Sequence, residues 1–214
     1  MILDLTPDQL LSTTRSVRKR LDLERPVDHS TVLECLDLAL QAPTGSNRQG
    51  WHWMFITEPE KKKALAELYK KNFLAYRDSG ARPTYDESDT RAQRQTAVTD
   101  SANHLAEHFH EVPILMIPLI EGRLDNLPAF AAASTWGSLL PAMWSFMLAL
   151  RSRGLGSAWT TLHLPSEREA AEILDIPFDR YTQGGLFPIA HTIGTDFKPA
   201  ARIPTDQIVH WNTW

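Results

Sequence analysis

The sequence predicts an α+β fold, and three observations carry that expectation. Helical and strand-like stretches follow one another without the regular alternation that builds a parallel sheet. The run Val112-Pro113-Ile114-Leu115-Met116-Ile117 has the unbroken apolar character of a strand covered on both faces. Residues 128–153 are apolar on nearly every side at helical spacing, which puts them between layers or against another subunit. The 214 residues read as one domain, 1–214, with enough apolar sequence for a sizeable core.

Each element follows from its local pattern. Residues 30–41 set Val32, Leu33, Leu36, Ala39 and Leu40 at helical intervals, with capping side chains from Asp28 to Thr31 and Pro43 beyond the end. This helix delivers the chain into a polar turn at residues 43–50. Trp51 to Thr57 reads as a strand, and Thr57-Glu58-Pro59-Glu60 has the form of a capping box. The helix it opens is expected to bury Leu65, Leu68, Tyr69 and Tyr76 and to leave Lys61, Lys62 and Lys63 in water. From about Asp78 to Asp100 no continuous apolar face survives. Its Gly80, Pro83, Asp86, Glu87, Ser88 and Asp89 fit a lid, an insertion around 78–100 over a substrate cavity.

A short helix with Ala102, Leu105 and Phe109 precedes the central strand. In the long helix, Phe130, Trp136, Leu140, Trp144, Phe146 and Leu150 occupy several faces, and Pro141 predicts a kink or an interruption. Gly154-Leu155-Gly156 ends it, and Ser157 to Leu162 can begin another strand. Ser166-Glu167-Arg168-Glu169 is a second capping box, and Phe187 to Ile193 alternates as a last strand. The tail from Lys198 to Trp214 holds Ile208, Val209, Trp211 and Trp214 with little of its own to pack on. Those groups need a surface elsewhere, such as a partner subunit.

Charge is nearly balanced, 22 basic against 26 acidic residues, so no overall field favours nucleic acid or an anionic membrane. The longest apolar run, Ile114 to Ile120, is too short to span a bilayer, and no apolar signal core opens the chain, so a cytoplasmic protein is expected. Cys35 is the single cysteine and lies on an apolar helical face, which makes it a core residue and not a nucleophile. His104 and His108 share a helix face beside Glu107, but no third ligand has suitable spacing, so no metal site is expected. His163 and His191 read as hydrogen-bonded core groups.

The chemistry-bearing residues fall in separate blocks. In Thr14-Arg15-Ser16-Val17-Arg18, two forked cations flank a hydroxyl, a pattern suited to phosphate. Ala42-Pro43-Thr44-Gly45-Ser46-Asn47-Arg48-Gln49 is rich in amide and backbone donors, which suit a hydrogen-bonding heterocycle. Gly154-Leu155-Gly156-Ser157-Ala158-Trp159-Thr160-Thr161 and Arg202-Ile203-Pro204 follow. Occurring in this order, the four blocks resemble the nitroreductase-like flavoproteins, which include iodotyrosine deiodinases and a flavin-fragmenting enzyme. Two departures stand out: Thr14 where that family usually has a base, and Gly50 where it often has proline.

The resemblance implies a three-layer α-β-α arrangement around a mostly antiparallel sheet. It also implies a homodimer with an exchanged C-terminal segment and two FMN sites, each contacted by both subunits. By motif position Arg15, Ser16, Val17, Arg18 and Arg202 would hold the FMN phosphate and ribityl region, with Arg18 reaching the pyrimidine edge. Thr44, Ser46, Asn47 and Gln49 would line the ring and substrate face. Trp159, Thr160 and Thr161 would lie at the ring edge, with Thr161 a donor to N5. Trp51, Tyr76, Arg82 and Tyr85 are substrate-contact candidates.

Flavin performs the redox step, so the protein need not supply a nucleophile or a general base. The expected activity is ping-pong hydride transfer from NAD(P)H through FMN to a small electron acceptor such as a nitroaromatic or a quinone. The alternatives are reductive dehalogenation, consumption of the flavin itself, or a flavin-binding dimer without turnover.

Overall fold

A computed structural model describes residues 2–86, 89 and 91–214. Six α-helices and five strands are found among them: α1 (Pro7–Thr13), α2 (His29–Ala39), β1 (Trp51–Ile56), α3 (Pro59–Asp78), α4 (Ala92–His108), β2 (Ile114–Glu121), α5 (Ala129–Ser152), β3 (Leu155–Ser157), α6 (Glu167–Ile173), β4 (Tyr181–Gln183) and β5 (Phe187–His191). The sheet runs β1-β2-β5-β3, with β4 beside β2 and every strand pairing antiparallel.

The alternation of β2 explains the layers. Leu115, Ile117 and Leu119 join a core with residues of α3, α4 and α6, whereas Ile114, Met116 and Ile120 join one with α2 and α5. Successive side chains of a strand point to opposite faces, so an unbroken apolar run is what a sheet covered by helices on both sides requires. The α+β, three-layer expectation holds. In the second core Phe146 is fully buried against Trp53 and Phe55.

Several local expectations need correction. Helix α3 begins at Pro59 with Glu58 as its cap and no side-chain capping bond, because the Glu58 carboxylate turns to Lys61 instead. Lys62 is buried: its ammonium donates to the Val112 carbonyl at 2.6 Å while the aliphatic stem lies on the apolar face. Tyr76 is exposed, two residues past Leu74, which with Phe73 ends the packing of α3 on the core. The stretch expected to lack an apolar face over 78–100 is helical at both ends, since α3 extends to Asp78 and helix resumes at Ala92. Its Glu87 and Ser88 lie outside the described residues.

Helix α5 runs uninterrupted through Pro141. Pro141 and Gly137, whose carbonyl loses its helical hydrogen bond to the proline, are both exposed, so water can satisfy that carbonyl. Phe130 and Trp144 on α5 are exposed rather than enclosed. The strand expected over Ser157 to Leu162 instead runs Leu155–Ser157, because Gly154 (φ +72°) turns the chain straight from helix into sheet, and beyond it only Thr160 bridges a neighbour. Ser166 caps α6 by position only; its hydroxyl accepts from Asn72 at 3.2 Å, and Glu167 is held by Arg123. Strand β4 and helix α1, the latter opened by a Thr6–Gln9 capping box, are elements beyond those the sequence predicts.

Candidate functional site

The basic block lies on the outer edge of β3. Thr14 closes α1 with its hydroxyl on the Leu10 carbonyl, and the chain then extends so that Val17 N–H donates to Ser157 O at 2.8 Å and Ser16 bridges Ser157. This approach needs Gly156: a Cβ there would meet Thr192 Cγ2 at 2.7 Å and Val17 Cβ at 3.0 Å. Half-buried Arg18 reaches Ser101 of α4 at 3.4 Å, beside Tyr69, whose phenol burial pushes up to about 12. Burial disfavours the charged forms of Arg15 and Arg18, and for Arg15 the neighbouring Arg202 and Arg94 add repulsion. None of the ion pairs among the described residues involves Arg15, Arg18, Arg94 or Arg202. Clustered cations without a carboxylate are electrostatically incomplete.

Next to this block the chain from Ser157 to Thr161 is fixed from below. Leu186 N–H donates to Thr160 O at 2.8 Å and the Thr160 hydroxyl donates to the Leu186 carbonyl, while the Trp159 indole donates to Gly184 O at 3.1 Å. Thr161 is left exposed. Gly184 and Gly185 make this packing possible, since a Cβ at either would come within 2.7–2.8 Å of Leu139 or Phe187.

The polar turn stands at the opposite edge, before β1. Ser46, Asn47 and Gln49 have φ of 53°, 52° and 51°, a left-handed conformation that costs on the order of 1–3 kcal/mol per non-glycine residue. Helix α5 holds the strain in place: Gly45 N–H donates to Ser138 Oγ at 2.9 Å, and the Trp51 indole to Ser138 O at 2.8 Å. Within the turn Gln49 N–H bonds Thr44 Oγ1 at 3.2 Å and Gln49 Nε2 bonds Asn47 Oδ1 at 2.8 Å. A cavity of about 320 Å³ opens beside it, lined by Thr44, Arg48, Gln49, Glu121, Arg123 and Ser138 among others. Arg123 is fixed there by Glu167, Asp125 and the Tyr181 carbonyl, and its pKa is raised by the Glu167 hydrogen bonds.

The family model described as the Nitroreductase family matches residues 11–191. The chain belongs to the nitroreductase family. A Bacillus subtilis protein named as an NAD(P)H nitroreductase is 24% identical over 206 residues, covering 95% of this chain and 96% of that one. Iodotyrosine deiodinase of Drosophila melanogaster is 26% identical over 113 residues, 51% of this chain and 35% of the relative. Among solved structures, an oxidized iodotyrosine deiodinase bound to FMN and 3-iodo-L-tyrosine superimposes with a TM-score of 0.71 at 20% identity, covering 95% of this chain and 98% of that one. The FMN-dependent nitroreductase NfnB of Mycobacterium smegmatis in complex with NADPH gives 0.67 at 16%, covering 96% and 97%.

Within this nitroreductase-family chain the anticipated residues form two groups. Arg15, Ser16, Val17 and Arg18 lie on the segment that bridges Ser157, two residues before Trp159–Thr161, and Arg15 is close enough to Arg202 to feel its charge. Thr44, Ser46, Asn47 and Gln49 are not among them: four strand spacings, about 19 Å, separate β1 from the Ser16 segment. Trp51 is half-buried and pinned to α5, Tyr76 is exposed, Arg82 stacks over Phe73 and Tyr76, and Tyr85 lies under Arg91. His163 is fully buried, bonded to Gln183 at 3.0 Å, and its pKa is lowered to about 4 by burial. Cys35 is buried and its thiol pushed up to about 11. Among the described residues no group of three His, Cys, Asp or Glu is placed to hold a metal ion, and no helix is long and apolar enough to cross a membrane.

Arg94, Gly184 and Gly185 were missed in the sequence. The glycine pair ahead of an apolar strand was a readable sign of close backbone approach. Arg94 carried no local signal, because only the placement of α4 brings it to Arg15.

Proposed function

We propose that the chain is an FMN-dependent NAD(P)H oxidoreductase that works as a homodimer. The observation that carries this reading is the pair Arg15 and Arg18, without an ion-pair partner among the described residues, on the segment that bridges β3 at Ser157, four residues before the exposed Thr161. Cations lacking carboxylates, on a segment that Gly156 lets pack closely on β3, fit a phosphate-bearing cofactor. Bound there, FMN would accept hydride from NAD(P)H and pass it to a small acceptor such as a nitroaromatic or a quinone, each ligand occupying the same face in turn.

The protein's own tasks follow from position. Arg15, Ser16 and Arg202 hold the phosphate and ribityl region, with Val17 keeping their segment on β3. Arg18 stabilises negative charge at the pyrimidine edge, and Thr161 presents a donor at the ring edge flanked by Trp159 and Thr160. The turn with Thr44, Ser46, Asn47 and Gln49 stands too far across its own sheet to share this site, so a second copy supplies it. The exposed Trp211 and Trp214 of the tail give such a partner apolar surface to cover.

Purified protein is expected to be yellow, to bleach with NADH or NADPH without oxygen, and to recover its colour with a quinone. Protein that binds FMN yet is reduced by neither nucleotide would sink the reductase assignment. The likeness to iodotyrosine deiodinase favours a second reading, reductive dehalogenation. Halide release from a halotyrosine by the reduced protein separates the two.

A further inference from the structure

The C-terminal tail is rooted on the N-terminal arginine segment. Ile193 N–H donates to Arg20 O at 2.8 Å and Arg20 Nε donates to Ile193 O at 2.7 Å, just past the bridge between Leu21 and Thr192. Gly194 (φ +72°) lets the chain turn there, since a Cβ would lie 2.6 Å from Arg20 Nη2. Arg20 Nη2 then donates to Asp196 at 2.6 Å, and Arg151 of α5 donates to Thr195 O at 3.0 Å. Phe197 closes the arrangement: its ring centre lies 4.2 Å from the Arg20 guanidinium carbon and 5.0 Å from that of Arg151.

Two features set Phe197 apart from its neighbours. From Ile193 to Pro199 it is the one residue that is not exposed, and it packs on the core that contains Val17 and Leu21. Arg151 is 4% exposed, and its Nε and Nη1 are buried without a hydrogen-bond partner among the described residues. The negative face of the ring supplies attraction that those missing bonds do not. The Arg20–Asp196 pair, by contrast, is open to water and contributes little. Arg20 stands five residues after Arg15, and Arg202 five residues after Phe197, so each of these two arginines lies within about 17 Å of the grip. A tail that was free at this point would have to be ordered by the ligand, and part of the binding energy would go into its lost entropy.

We propose that Phe197, held between Arg20 and Arg151, is a positioning residue that aims the tail so that Arg202 meets the phosphate of bound flavin. This rests on the flavoprotein reading above and adds to it the contact that preorganises the tail.

The test is the affinity of flavin-stripped protein for FMN and for riboflavin in Phe197→Ala, Arg202→Ala and the double variant. Phe197→Ala should weaken FMN by nearly the same factor as Arg202→Ala, roughly tenfold. The double variant should be no weaker than Arg202→Ala alone, since the two residues act as one unit. Riboflavin affinity should stay unchanged in all three, which also shows that they fold. Phe197→Tyr keeps the ring and should bind FMN as the wild type does, whereas Phe197→Leu keeps bulk without an aromatic face and should show the same one-sided loss. Unchanged FMN affinity in Phe197→Ala, with Arg202→Ala still weakened, overturns this inference and leaves the flavoprotein reading standing. Losses that add in the double variant, or that are equal for both flavins, overturn it as well. Normal FMN binding by Arg202→Ala leaves the ring nothing to aim and has the same consequence. Wild-type protein that binds neither flavin overturns both.

Discussion

At the β3 edge the groups that face outward are cations with few bonds of their own, whereas at the β1 edge they are amides and hydroxyls locked to one another and to α5. Arg15 and Arg18 are held below their usual basicity by burial, with only a 3.4 Å contact to Ser101 between them. Thr44, Asn47 and Gln49 form closed hydrogen bonds on a left-handed backbone that Ser138 clamps. One edge lacks charge compensation; the other is already finished in shape. A ligand should therefore stabilise the first edge far more than the second, and substitutions at the two should separate binding from folding.

The largest effect is expected from removing Arg15 and Arg202 together. Each charge-assisted hydrogen bond contributes about 1.5–3 kcal/mol, so FMN affinity should fall on the order of a hundredfold or more. The unliganded protein should melt no lower, because the change removes repulsion. A drop in that melting temperature with FMN binding intact would reverse the contrast between the edges. The next effect concerns acid. His163 lies two residues past Thr161 and joins β4 through Gln183. Its pKa is about 4 when folded against an unfolded value of 6.5, so the unfolded chain takes up the proton first. The contribution is present above pH 6.5 and is lost as pH falls toward 4, by about 3 kcal/mol at most. Urea unfolding across that window should show the slope, and His163→Gln should flatten it.

The legibility of the two edges in the sequence differs for the same reason. The turn was recognisable because Pro43, Gly45, Asn47 and Gln49 are turn-forming and donor-rich residues in one short stretch. The arginine edge was readable only as separate blocks, and Arg94 not at all, since nothing local distinguishes it from a solvated helix residue. Core strands were plain from the apolar run in β2, whereas three-residue β4 is defined by pairing with Leu119–Glu121 and has no period to detect. Lys62 was placed in water because its neighbours are lysines; the Val112 carbonyl that receives it belongs to a different part of the chain. Neither proposed capping box forms: α3 starts at Pro59 with Glu58 and not Thr57 as its cap, and the Ser166 hydroxyl is taken by Asn72 from a distant part of the chain.

A smaller effect tests the clamp on the turn. In Gly45→Ala the new Cβ would lie 2.6 Å from Ser134 Oγ, a clash expected to cost about 1–3 kcal/mol of stability. Adding Ser134→Ala removes the offending oxygen and should restore most of the loss. Chemical denaturation of the single and double variants measures both; a double variant as unstable as the single one would mean that the strained backbone, not the serine, limits the site.

The smallest expected effect sets one bond of each edge side by side. Trp51→Phe deletes the indole bond to Ser138 O but keeps an aromatic ring against the core, so it should cost about 1 kcal/mol of stability. Thr161→Val has no such bond to lose, because among the described residues its hydroxyl has no protein partner and the side chain is exposed. It should leave unfolding unchanged and instead slow bleaching of the flavin by NAD(P)H, the hydroxyl being a donor to bound cofactor alone. If Thr161→Val unfolds as early as Trp51→Phe while reduction proceeds at the wild-type rate, the hydroxyl belongs to the scaffold and the β3 edge is no more ligand-dependent than the turn.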